Sequence, residues 1–130
     1  MPASHVARGQ AGSATTELVL LMPVVLLLVL LIVQFGLWLH ARQVATAAAQ
    51  EGLVAAQVET GTAGAGHDRA VAILTQAGGL REVRVDAARN LTIARVVVTG
   101  TTPAVIPGTA LDVSGVAEGP VERFVAEPDR

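Results

Sequence analysis

A single carboxylate, Glu17, stands at the head of a long apolar run, five residues after Gly12. A charged side chain in a bilayer costs roughly 2–3 kcal/mol at the midplane and less at an edge. Its place at an edge leaves two readings open. Glu17 is either an interfacial acid at a helix N-terminus, where the macrodipole favours negative charge, or the partner of a cation met during assembly. The other chemistry-bearing side chains are scattered. His5 lies in the leading segment, His40 just past the apolar run and His67 beside a Gly-rich stretch, so no metal-ligand cluster forms. His67-Asp68 has hydroxyl residues in its neighbourhood, but the spacing supports no nucleophilic triad, and the start of a helix accounts for the pair better. There is no phosphate-binding loop and no dinucleotide fingerprint. Asn90-Leu91-Thr92 matches a glycosylation acceptor and reads as a hairpin turn. The residues predict no enzyme, no cofactor and no small-molecule substrate.

The element that must position Glu17 is the run that follows it. Leu18 to Leu39 reads LVLLMPVVLLLVLLIVQFGLWL, without a charge. As a helix it would span ~33 Å at ~1.5 Å per residue, enough for a hydrocarbon core of ~30 Å. Each Leu, Val and Ile favours insertion by a few tenths of a kcal/mol, which sums to several kcal/mol towards the membrane. The rest of the chain has too little apolar surface to wrap a helix that is apolar all round. Pro23 removes one backbone hydrogen bond, and is either a tolerated membrane proline or a site of packing or extraction. Gln34 either hydrogen-bonds to another helix or is a lone tolerated polar group. Gly36, beside Phe35, has Ile32 and His40 four residues to either side, so no small-residue dimer motif surrounds it. Trp38 and His40 suit a membrane–water interface.

The order of features ahead of the run is informative. A secretory signal peptide places its small-residue cleavage site after a shorter apolar stretch. Here the small residues come first, in Gly12-Ser13-Ala14-Thr15-Thr16-Glu17, an order that resembles a prepilin leader. The stretch GSATTELVLLMPVVLLLVLLIVQFGLWLHARQVATAAAQEG resembles the opening of the TadE-like family, minor pseudopilins of tight adherence (Tad/Flp) pilus systems. Gly12, Glu17, Pro23, Phe35-Gly36, Arg42, Val44 and the Ala-rich continuation to Glu51-Gly52 carry the likeness, over about a third of the chain. The family usually has an aromatic after the Glu, where this chain has Leu18. It often has an acid before Phe-Gly, where Gln34 stands and removes a possible intramembrane ion pair. The resemblance implies cleavage between Gly12 and Ser13 by a prepilin peptidase. It implies a cytoplasmic N-terminus, and assembly with other pilin or pseudopilin subunits and Tad inner-membrane proteins. The new ammonium on Ser13 would then meet Glu17, in its own chain or a neighbour's, and set the register of assembly.

Composition narrows the remainder. With 130 residues there is room for one small domain beyond the helix. A net charge of -2 and 2% aromatic residues argue against nucleic-acid binding. All basic residues are Arg, and the absence of Cys excludes disulfides and thiolate metal sites. Residues 41–59 are Ala-rich and predict a continuation of the helix, with Val44, Ala48, Ala55 and Val58 as a shallow apolar stripe. Plain helix propensity and a dedicated subunit contact explain the Ala run equally well. Thr60 to Gly66 reads as a helix-breaking linker. A second helix is expected from Asp68 to about Ala77, with Val71, Ile73, Leu74 and Ala77 on its apolar side and Gly78-Gly79 as its stop. Val83 and Val85 alternate with charges as a strand, and Ala88-Arg89-Asn90 reads as a turn. Leu91 to Thr99 reads as a strand whose alternation slips near Arg95, by a bulge or by cover on both faces. Pro103 and Pro107-Gly108 mark a loop. Leu111, Val113 and Ala117 form a last strand interrupted by Gly115, and Val121, Phe124 and Val125 are placed to pack back.

The expected architecture is α+β and, through the resemblance, pilin-like. A leader occupies 1–12 and a long N-terminal helix 13–59, its transmembrane part 18–39. A small extracytoplasmic domain, 60–130, holds one short helix and a sheet of three or four antiparallel strands. About 70 soluble residues make a marginal core, so the upper half of the long helix should lie across the sheet. The function that follows is a non-catalytic minor subunit of a Tad-type pilus or related secretion assembly, held single-pass in the lipid bilayer of the cytoplasmic membrane. The alternative is a signal-anchored, single-pass extracytoplasmic binding protein.

Overall fold

The computed structural model describes residues 10–123. His5, in the expected leader, and Phe124 and Val125, near the C-terminus, lie outside the described residues. Helix α1 runs Gln10–Gln57 and helix α2 Ala63–Ala77; three strands follow, β1 Arg81–Arg89, β2 Ile93–Thr101 and β3 Asp112–Pro120. The layout is the expected α+β one. The chain divides into two units after Val33.

The first unit is the apolar part of α1. Its large apolar side chains from Leu18 to Val33 are exposed in every direction, except Leu30, which is half-buried. The most apolar 18-residue window of α1 has a mean hydropathy of 3.1, and the helix is long and apolar enough to cross a membrane. Pro23 lies inside the helix and deprives the Val19 carbonyl of its usual partner four residues on.

In the second unit the Ala-rich half of α1 is part of the core. Ala41, Val44, Ala45, Ala48, Ala49, Gly52 and Ala56 are buried, a stripe with the helical spacing of three and four. Val44 and Ala48 of the expected stripe belong to it, whereas Ala55 is half-buried and Val58 exposed. The stripe packs with Ala70 and Leu74 of α2 and with Val96, Val98 and Ala117 of the sheet.

The sheet is an antiparallel meander in the order β1-β2-β3. Val96 lies opposite Ala87 and Ala117, and Val98 opposite Val85 and Gly115, so the inner face is made of small and β-branched residues. The inner side chains are small enough for helices to approach closely. At Gly115 an added Cβ would run into the backbone of Ala45 on α1. Gly115 does not interrupt β3; it admits the helix.

Four local expectations are corrected. The stretch Thr60–Gly66 is not a linker throughout, because α2 begins at Ala63, five residues before Asp68. Thr62 is its N-cap and accepts a hydrogen bond from Ala65 N at 3.0 Å. Gly66 sits inside the helix because it faces Gly52: a Cβ on Gly52 would lie 2.7 Å from Gly66 O. The buried side of α2 is therefore Gly66, Ala70 and Leu74, while Val71 and Ala77 are exposed. Strand β1 runs through Ala88 and Arg89, and the turn falls at Asn90–Thr92. There Asn90 Oδ1 accepts from Thr92 N at 2.8 Å and Ile93 N at 2.7 Å. Finally, β2 alternates regularly through Arg95, its apparent slip coming from Ile93 and Val97 on the outer face. The register shift lies in β1 between Arg81 and Arg84, where Glu82 takes φ 51°.

Candidate functional site

The residues singled out from sequence all lie on α1. Gly12 and Ser13 stand near its start, where helix ends fray by a residue or two. The Gly12 carbonyl accepts from Thr16 Oγ1 at 2.8 Å. Glu17 is exposed on the same helix, and no ion pair among the described residues includes it. Residues 13 and 17 are one helical turn apart, so their positions share a face. Around Pro23, the side chains of Leu18, Val19, Met22 and Leu26 line an open apolar groove.

Gln34, Phe35 and Gly36 open the second unit, and here the structure adds what the sequence did not say. Gln34 is 5% exposed, deeply buried for a polar side chain. Its Nε2 donates to Thr109 O at 3.1 Å and Pro103 O at 3.3 Å, and lies 3.5 Å from Thr102 Oγ1. Its Oε1 accepts from Val105 N at 2.9 Å. The partner of Gln34 is thus the β2–β3 loop, not another helix. Thr102 is buried too and closes the loop, its Oγ1 accepting from Leu111 N at 3.0 Å and its own N–H donating to Leu111 O at 2.9 Å. The signal available beforehand was that Gln34 is the one strongly polar side chain of its run. Its partners are some 70 residues away and could not be read from spacing.

Phe35 is 61% exposed, and its ring centroid lies 5.8 Å from that of Trp38. The Arg42 guanidinium stacks over Trp38 at 5.6 Å, an aromatic–cation pair one turn above the run. Gly36 faces open space, since an added Cβ would meet nothing within 4 Å among the described residues. His40 packs against Gly79 at the end of α2, a contact of 3.2 Å for a Cβ placed there. His67 contacts only its neighbour Asp68 among the charged groups described, at 3.3 Å. No group of three or more His, Cys, Asp or Glu that could hold a metal occurs among the described residues.

These features define a class: an α+β chain with a three-stranded antiparallel sheet, led by one helix long and apolar enough to cross a membrane. Residues 12–53, about a third of the chain, match the family model described as TadE-like protein, the family that the same stretch resembles by its residues. No curated protein and no solved structure matches the chain. The matched segment ends at Leu53, directly after Gly52, so it takes in both the exposed apolar run and most of the buried stripe.

Proposed function

We propose that this protein is a non-catalytic minor pilin-like subunit, a pseudopilin, of a Tad-type pilus or related secretion assembly. A prepilin peptidase cuts it between Gly12 and Ser13. Residues 18–39 hold it single-pass in the cytoplasmic membrane, with the folded part outside. The observation that carries the reading is the placing of Gly12 and Glu17 at the head of an exposed apolar helix within a TadE-like segment. Cleavage turns Ser13 into a chain end bearing an ammonium, one helical turn from Glu17. In the low dielectric of stacked apolar helices an unpaired carboxylate is costly, so pairing fixes which subunits fit and at what height.

The test is N-terminal sequencing and intact mass of the protein from membranes of cells with an active pilus system. A chain beginning at Ser13 is expected. A chain that keeps its leader overturns the reading. Glu17→Ala is expected to insert into the membrane normally yet fail to enter the assembly, and normal incorporation would remove Glu17 from the account.

A further inference from the structure

Gln34 immediately follows the unbroken apolar stretch from Leu18 to Val33, and it is the residue to which the β2–β3 loop is bound. The geometry points to a lipid contact: we propose that the loop at residues 102–111 lies in the interfacial layer of the bilayer, with Val105, Ile106 and Leu111 against lipid. The proposal rests on the reading that the apolar helix crosses a membrane.

Length comes first. Leu18 to Val33 gives ~24 Å of helix, less than the ~30 Å of a hydrocarbon core. A bilayer whose edge lies at Glu17 therefore still covers the depth of Gln34, and the groups bonded to Gln34 lie at that depth. The loop is composed for it. It carries no charge from Thr102 to Leu111, while Val105 is 41% and Leu111 44% exposed. Phe35 and Leu39, in the turn and a half of helix after the Gln34 anchor, are exposed too. Trp38 with Arg42 stacked over it supplies the aromatic and cationic groups that sit at headgroup level.

The backbone fits that depth in part, since several of the loop's polar groups are satisfied from within. Irregular chain at membrane depth must have its polar groups satisfied from within, whereas a loop in water needs no such provision. Here Pro103 and Pro107 have no N–H to satisfy. Thr102 N and Thr109 N donate to Leu111 O and Ile106 O, and Leu111 N donates to Thr102 Oγ1. Val105 N donates to Gln34 Oε1, and Gln34 Nε2 in turn serves the carbonyls of Pro103 and Thr109. Even the Thr109 hydroxyl is turned back onto Ile106 O at 2.6 Å.

The chain has no Cys, so single nitroxide labels can be placed without background. The full chain, reconstituted in palmitoyl-oleoyl phosphatidylcholine vesicles, is labelled at Val105→Cys, with Leu111→Cys as a second reporter on the same loop. Leu28→Cys reports the apolar run, and Val116→Cys, exposed on the outer face of β3, reports water. Power saturation then compares collisions with oxygen, which partitions into lipid, and with a polar nickel chelate. The oxygen-to-nickel ratio at Val105 and Leu111 is expected to stand severalfold above that at Val116 and below that at Leu28. If both loop positions match Val116 while Leu28 reads as lipid, the loop proposal is overturned and the membrane-spanning reading stands. If Leu28 also reads as water, both fall. Loop labels shielded from both reagents would mean a protein contact, such as a second copy of the chain, and would overturn the lipid assignment.

Discussion

Gln34 shows how much one polar side chain can hold at a single position. It joins the buried Thr102 and three backbone groups of the β2–β3 loop, two carbonyls and one N–H. Replacing it by Leu leaves those groups without partners in a partly buried place, and each such group costs about 1–3 kcal/mol where water cannot replace the bond. Gln34→Leu should therefore lower the unfolding free energy by at least about 1–3 kcal/mol in detergent micelles. Amide exchange at Val105 should quicken more than exchange in β2. A loss of stability with no change at Val105 would mean that the loop is held by something else. Asn90 is the corresponding residue at the other hairpin, where one carboxamide oxygen accepts from two successive backbone N–H groups. Asn90→Ala should cost about 1 kcal/mol, the ordinary net worth of such bonds, since its turn is exposed and water takes over in part. Chemical denaturation resolves a change of that size.

Within α1, two glycines make opposite predictions at the scale of the element. Gly52 is buried under α2, and a Cβ there would press on Gly66 O, Ala70 Cβ and Val96 Cγ1. Gly36 faces open space on the same helix. Gly52→Ala should destabilise by about 1–3 kcal/mol through overpacking against backbone that cannot move aside. Gly36→Ala should stabilise the isolated subunit by about 0.5–1 kcal/mol, because Ala is the better helix former. Thermal melts of the two variants in the same detergent compare them directly. If Gly36→Ala also abolishes incorporation into the assembly, its open space is filled there by a neighbouring helix.

The same contrast explains what could be read beforehand. The apolar half of α1 was legible because its length alone decides it, and Gly78 stops α2 as expected, its N–H bonded to Leu74 O at 3.0 Å. The start of α2 was misplaced because Gly64 and Gly66 have the composition of a linker, and only the facing Gly52 shows why Gly66 is small. The bulge in β1 was missed for a like reason. Nothing in Arg81-Glu82-Val83-Arg84 marks Glu82 for positive φ, and the shift exists only in the pairing with β2. At the candidate site, Gly12, Glu17 and Pro23 were singled out by position along one helix. The role of Gln34 was not, since it depends on a loop distant in sequence.

Taken whole, the folded part of the molecule cannot be cut from the helix that leads into it. Of the nine buried residues in the main core cluster, Val44, Ala45, Ala48 and Ala49 come from α1, so a chain beginning at residue 61 lacks nearly half of that cluster. What remains is one short helix on a three-stranded meander whose inner face is mostly Ala, Val and Gly. A sheet of that size is marginal without a helix to cover it. The segment at the end of β3 is tied to α1 as well, with Glu122 N donating to Gln57 O and Gln57 Nε2 to Pro120 O, both at 2.9 Å. A fragment of residues 61–130 should therefore be unfolded, with random-coil circular dichroism and collapsed amide dispersion. A fragment beginning at Gln34 keeps the buried stripe, the Gln34 anchor and the C-terminal ties, and should fold in mild detergent that covers Phe35, Leu39 and Val105. A cooperative thermal transition in the 61–130 fragment would show that the sheet and α2 suffice. The Ala stripe of α1 would then be a docking face, and not the core that its burial makes it.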